Sequence, residues 1–191
     1  MSALVSTELH TTRDDLDERL PELRALGTDK GTLEVIVRRP RENERETPER
    51  AEVTIAEGLA GDRWLAYAGQ RMDAAGAIDR SNQLTLMSTR VLALVAERDR
   101  WPLSGDNLLV DMGLDVESLP AGTRLAVGDE VVIAISEEPH TGCSKFSSRF
   151  GSDALRFVNS PEGRALRLRG ANAHVVEPGT IAVGDAIRSL S

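Results

Sequence analysis

Gly122-Thr123-Arg124-Leu125-Ala126-Val127-Gly128-Asp129, followed at once by Glu130-Val131-Val132-Ile133-Ala134-Ile135, reads as a short strand, a tight turn and a second short strand. Glycine supplies the positive φ such turns need, and the aspartate can bond the turn backbone. The pattern returns as Gly179-Thr180-Ile181-Ala182-Val183-Gly184-Asp185 before Ala186-Ile187-Arg188. Two copies are too few for a solenoid. Closely spaced strands joined by tight turns predict a mainly β (α+β) fold, a small closed or rolled β-barrel, in which closure removes edges that invite aggregation.

Outward from that core, Thr32-Leu33-Glu34-Val35-Ile36-Val37 and the run from Ala51 to Ile55 read as further strands. Asn82 to Met87 suggests a strand leading into a helix capped by Ser88, with Val91, Leu92, Val95 and Ala96 on its buried face. Residues 12–27 carry Leu16, Leu20, Leu23 and Leu26 on roughly one face, and Pro21 predicts a kink or two short helices. Residues 1–31 are thus a helical extension and 32–191 the barrel domain. Residues 39–50 are mixed-charge and proline-flanked, the composition of an exposed loop with solvated arginines. Residues 143–169 read as helical, with turns at Gly151 and Pro161.

Of the 191 residues, 40% are hydrophobic, enough for a core, but only 3% are aromatic, so aliphatic side chains must fill it. The net charge of −8 argues against general nucleic-acid binding, which needs a basic face. No apolar run approaches the roughly 20 residues that span a bilayer, and the N-terminus lacks a signal-peptide pattern. A reducing cytoplasmic setting is the default expectation, with neither nucleic acid nor membrane as partner.

The lone cysteine lies in Pro139-His140-Thr141-Gly142-Cys143-Ser144-Lys145, followed by Arg149. One cysteine excludes an internal disulfide and a multi-cysteine cluster. Nearby cationic groups and a helix start just after residue 143 both favour a thiolate. Several roles remain open: a small buried apolar group, a Cys–His nucleophile with His140 or His174, a mixed zinc site, or single-thiolate attachment of a soft metal that brings its own ligands. The last fits a lone cysteine best. Lys145 fits a Schiff-base lysine in chemistry, but no glycine-rich phosphate cradle accompanies it. Asn107 reads as a turn residue, while Arg63 and Arg169 read as loop arginines whose forked donors would suit a phosphate.

Five motifs in order resemble the MOSC domain, the module named for the C-terminal region of molybdenum cofactor sulfurases. They are Gly58-Leu59-Ala60-Gly61-Asp62-Arg63-Trp64, Asn82-Gln83-Leu84-Thr85, Gly105-Asp106-Asn107-Leu108, the run 119–129 with the cysteine segment, and 169–185. The resemblance implies a barrel with flanking short helices and a molybdenum–pterin cofactor. By position, Cys143 would be the metal ligand, and His140 and Lys145 would tune it or donate protons. Arg63, Asn107, Thr141, Gly142, Arg149 and Arg169 would hold the cofactor. It implies an oxidoreductase component for small N-hydroxylated substrates, with electrons from a partner protein. Alternatively it implies a non-redox module that carries sulfur as a Cys143 persulfide, fed by a sulfur-donor protein, or that presents a cofactor to a partner enzyme. Pyridoxal phosphate, mentioned for the family, belongs to the sulfurases' aminotransferase-like domain, which this sequence does not contain. Two positions depart from the family pattern: Gly142 stands where proline is frequent, and Trp64 where histidine is frequent.

Overall fold

The computed structural model describes residues 10–68 and 71–190. The first nine residues of the expected N-terminal extension, and with them the signal-peptide reading, lie outside the described part. Ten strands are formed among the described residues. Seven of them are β1 Lys30–Ile36, β4 Leu84–Ser88, β5 Leu108–Val110, β6 Arg124–Val127, β7 Val131–Ile135, β8 Ala171–Glu177 and β10 Ala186–Leu190. These close a barrel in the order β1-β10-β6-β7-β8-β4-β5. Only the β4–β5 pair is parallel; every other neighbour in the barrel is antiparallel. The other three, β2 Arg50–Thr54, β3 Gly58–Leu59 and β9 Gly179–Ala182, make a small sheet beside it in the order β3-β2-β9.

Successive strand residues point to opposite faces, and both faces of β4 and β5 are buried. Leu84, Leu86, Leu108 and Val110 belong to the interior cluster, with Leu125, Val127, Ile133 and Ile135. Met87 and Leu109 belong to a second cluster, between the barrel wall and the helices. Here pack Leu16 of α1 Arg13–Glu18 and Leu23 of α2 Leu20–Arg24. A short helix, α3 Trp64–Ala68, follows the turn after β3. Val91, Leu92 and Val95 of α4 Thr89–Val95 join the second cluster too. All three phenylalanines of the chain, Phe146, Phe150 and Phe157, are buried in the same cluster. They anchor α5 Ser144–Phe150 and α6 Ser152–Val158, at roughly 2 to 3 kcal/mol of burial each. Thus the helical segment that begins next to Cys143 rests on the barrel's outer face.

Pro21 falls in the first turn of α2, where its missing N–H costs nothing, and the chain breaks before it at Arg19. Ser88 occupies the N-cap position of α4, but its hydroxyl makes no cap bond and is buried without a partner. The two Gly-Asp turns differ. β6 and β7 form a hairpin, whereas β9 and β10 do not pair with each other. Asp185 Oδ2 accepts from Ala182 N, and residues 184 and 185 exchange backbone bonds with Leu33, so the chain crosses here from the small sheet into the barrel. The second copy is therefore a sheet-to-barrel crossover, with β9 paired to β2 and β10 paired to β1 and β6.

Candidate functional site

The site is built over the junction of β1, β4, β5 and β8. After the 3-10 turn Arg98–Ser104, Gly105 adopts φ 86 and feeds Asp106 and Asn107 into β5. Asp106 is wholly buried. Arg169 Nη1 donates to both of its oxygens, at 2.9 and 2.8 Å, and His140 Nε2 lies 2.8 Å from Oδ1. Burial is the strongest single influence on this carboxyl and acts to raise its pKa; the Arg169 charge and the His140 contact together outweigh it and bring the value down to about 2. Arg169 is equally enclosed: Nη2 donates to Ser104 O, and the guanidinium stacks 5.0 Å from the Phe146 ring.

A second buried carboxylate, Asp62, holds the wall opposite. It accepts from Arg39 Nε and Nη2, from the Arg39 and Trp64 amides, and from Asn107 Nδ2. Asn107 Nδ2 also reaches Val37 O, and its Oδ1 accepts from Thr85 and Arg39. Asn107 is therefore a buried knot tying the end of β1, β4 and the Asp62 turn, a role beyond the turn chemistry its neighbours suggest. Arg39, read from sequence as solvated, is instead locked by this carboxylate.

Above these two anchors opens a cleft of about 390 Å³ lined by Arg39, Arg63, Trp64, Tyr67, Arg71 and His140 among others. Arg63 stacks over Tyr67, its guanidinium carbon 4.7 Å from the ring centroid. Arg71 bridges Asp79 and Glu138, and Ser81 Oγ donates to Glu138; the hydroxyl bond is the main reason that this carboxyl is held below its usual pKa. Arg45 and Arg149 approach the same place at Gly105. Burial, then the charges of Arg149, Arg39 and Arg63, lower the pKa of Arg45, whose Nε is buried with no hydrogen-bond partner. Asp62 pairs with Arg39, and Asp79 and Glu138 pair with Arg71, while Arg45, Arg63 and Arg149 form no ion pair among the described residues, so this side of the cleft favours an anion.

Cys143 is exposed, so it is not core filler. It holds the N-cap position of α5 and is absent from the lining of this cleft and from that of a second, more apolar cleft of about 270 Å³ beside it. The segment before it is clamped: Gly142 N donates to Asn159 Oδ1 at 2.9 Å, and Asn159 Nδ2 returns a bond to Gly142 O at 3.0 Å. A Cβ at 142 would stand 2.7 Å from Leu155 Cδ1. Proline there would lack the donated N–H, which accounts for glycine in this chain. Asn159→Ala should cost about 1–2 kcal/mol and speed hydrogen exchange of the Gly142 amide well beyond that of its neighbours. Unchanged exchange at Gly142 would show that the clamp does not hold the loop.

The residues expected from sequence fall into three groups. His140, Thr141 and Arg63 line the cleft. Asn107 and Arg169 lie beneath it with their side chains committed to internal partners, so they position the wall. Lys145 is on the surface in an ion pair with Glu42 (2.8 Å), and Arg149 donates to Leu103 O. Asp106, Asp62, Arg39, Asn159 and Asn172 are the participants that sequence reasoning missed.

The MOSC domain model matches residues 77–188. The chain belongs to that family. Among solved structures, the YUAD protein from Bacillus subtilis shares 19% identity, over 85% of this chain and 97% of that one, with a TM-score of 0.63. YiiM from Escherichia coli shares 17% identity over 84% of this chain and 70% of its own, with a TM-score of 0.53. At these identities the likeness is one of fold, and the closed barrel with flanking helices is the MOSC-type architecture. No curated protein matches the chain.

Proposed function

We propose that this MOSC protein binds an anionic molybdenum–pterin cofactor along the arginine-rich cleft, with Cys143 as thiolate ligand, and serves as an oxidoreductase component for small N-hydroxylated molecules. The observation that carries the reading is the convergence of Arg39, Arg63 and Arg71 on a cleft walled by His140, three residues from the exposed Cys143. The donor set fits such a group. No cluster of three or more His, Cys, Asp or Glu side chains that could hold a metal occurs among the described residues. A metal held here would need ligands of its own, as a pterin dithiolene provides. The partnerless Arg45 Nε and the mutual repulsion of its neighbours suit a phosphate-bearing molecule.

When bound, the cofactor supplies two-electron redox chemistry at its metal. The chain supplies the rest. Arg63 holds negative charge, Arg39 and Arg71 add positive field from their internal ion pairs, and the exposed Tyr67 offers a flat face to a ring system. His140 handles a proton at the cleft wall. Electrons come from a partner protein. No helix among the described residues is long and apolar enough to cross a membrane, and a free exposed thiol suits a reducing compartment such as the cytoplasm.

One observation favours a second reading: Cys143 stands outside the lining of both clefts and is open to solvent. A persulfide carried there could be handed to a partner enzyme. Metal and pterin content separates the two. Protein made in a cofactor-competent host should contain molybdenum, and Cys143→Ser should lower that content at least about tenfold while remaining folded. Folded protein without molybdenum overturns the cofactor reading. In that case, gain of one sulfur atom's mass on Cys143 after incubation with a cysteine desulfurase supports the carrier.

A further inference from the structure

A thin wall separates the basic cleft from a second, more apolar one of about 270 Å³, bounded by Val116, Pro120, Val158 and Ala171 among others. Glu138, Pro139, His140, Thr141 and Asn172 line both sides. Two hydrogen-bond acceptors in this wall lack partners among the described residues. One is Asn172 Oδ1, buried, while the same amide's Nδ2 donates to Glu138 O at 3.1 Å and so fixes which way the group faces. The other is found at His140. Its Nε2 edge points inward, 2.8 Å from Asp106 Oδ1, with Cδ2 close to Gly170. Its Nδ1 has no hydrogen bond among the described residues and keeps some exposure, and the His140 side chain, 19% exposed, lines both clefts.

The tautomer follows from Asp106. An ionised carboxylate only accepts, and both of its oxygens already take Arg169. The proton of the short contact therefore belongs to His140 Nε2, which leaves Nδ1 with its lone pair. The charged groups facing the ring act the same way: burial and then the Arg169 charge disfavour the imidazolium, with Arg39 adding to them, and the Asp106 bond only partly opposes this.

We propose that Asp106 is a positioning residue that holds His140 as the Nε2–H tautomer, so that the wall offers His140 Nδ1 and Asn172 Oδ1 as paired acceptors to a ligand group carrying N–H or O–H donors. Where that group gives up a proton, its X–H bond breaks, an Nδ1–H bond forms and the ligand keeps the electron pair. Asp106 stays ionised beside the new imidazolium. Nothing in this depends on a metal, so loss of the cofactor reading leaves it standing, and its own failure leaves that reading untouched.

Two-bond ¹⁵N–¹H correlation on the full chain with ¹⁵N-labelled histidine, assigned with His140→Gln, tests the tautomer at pH 7. The expected pattern for His140 is a bare Nδ1 and a protonated Nε2. An Nδ1–H tautomer, or an imidazolium, overturns the proposal. In Asp106→Asn the amide can donate to Nε2, and the majority tautomer should invert to Nδ1–H, which a merely structural carboxylate would not cause. If that variant fails to fold, the wild-type pattern still decides. Benzamide and acetophenone, alike in shape but only the first an N–H donor, test the acceptor pair. Benzamide should shift the His140 Nδ1 resonance, and Asn172→Leu should weaken that response. Equal shifts from the two probes, or none from benzamide, overturn the acceptor pair.

Discussion

Replacing Arg169 with alanine should lower the unfolding free energy by about 3–5 kcal/mol, a large share of the roughly 5–15 kcal/mol that a domain possesses. The reason is what remains. Asp106 has no exposure, and two of its carboxylate's three hydrogen bonds come from Arg169. Without the guanidinium, burial favours the protonated acid, and only His140 opposes it. The pH dependence gives an independent readout. In the native protein the Asp106 pKa, about 2, lies below its usual 3.8. The unfolded chain thus binds more protons in that window, and stability rises with pH across it. The contribution, roughly 2 kcal/mol, is complete above about pH 4 and is lost as pH falls through 2. His140, whose pKa is lowered from 6.5, acts with the same sign at higher pH, losing stability as the solution is acidified below that value. Denaturant titrations from pH 7 to pH 2 should show the wild type weakening through the acid window. Arg169→Ala should start lower and lose its Asp106 share of the slope. An unchanged midpoint in the variant would mean that the buried carboxylate is carried by other groups.

The same pair explains why part of the site escapes a sequence reading. Asp106 follows Gly105 and precedes Asn107, and in one dimension that is turn chemistry. Nothing local reveals that Arg169 and His140, 63 and 34 residues away, will close over it. Arg39 disappears for a related reason: it opens a charged run in which most side chains are exposed, and its partner Asp62 is 23 residues away. Rarity marks His140, one of three histidines in the chain, which does line the cleft, and it marks the single Cys143 equally, which stands exposed outside that lining. The fold was legible where contacts are local. The β6–β7 hairpin, the helix after β4 and the break at Pro21 all follow from neighbours in sequence. The partners of β9 and β10 do not, because each strand pairs with one more than a hundred residues earlier, at β2 or β1. Asn159 carries one hint, standing at the end of a helical pattern, but its target Gly142 is 17 residues upstream.

The backbone that supports His140 is itself under tight constraint, and Gly170→Ala should expose it. Gly170 has φ +105, and a Cβ on it would lie 2.0 Å from Leu86 O, with His140 Cδ2 next nearest among side chains at 3.4 Å. The obstacle is the carbonyl of β4 where it meets β8, and it cannot rotate away as a flexible side chain can. A positive φ alone costs an alanine about 1 kcal/mol; the clash forces strand separation and brings the expected loss to about 3 kcal/mol or more. Gly184 separates the two contributions. It has φ +93, and an added methyl would meet nothing within 4 Å, so Gly184→Ala should lose only the dihedral share. Equal unfolding midpoints for the two variants would show that β4 and β8 tolerate the added methyl. If the close approach is real, any residual folded Gly170→Ala protein should also show a displaced His140 ring resonance, whereas Gly184→Ala should leave it in place. The strand contact that closes the barrel and the contact that seats the imidazole would then be one and the same.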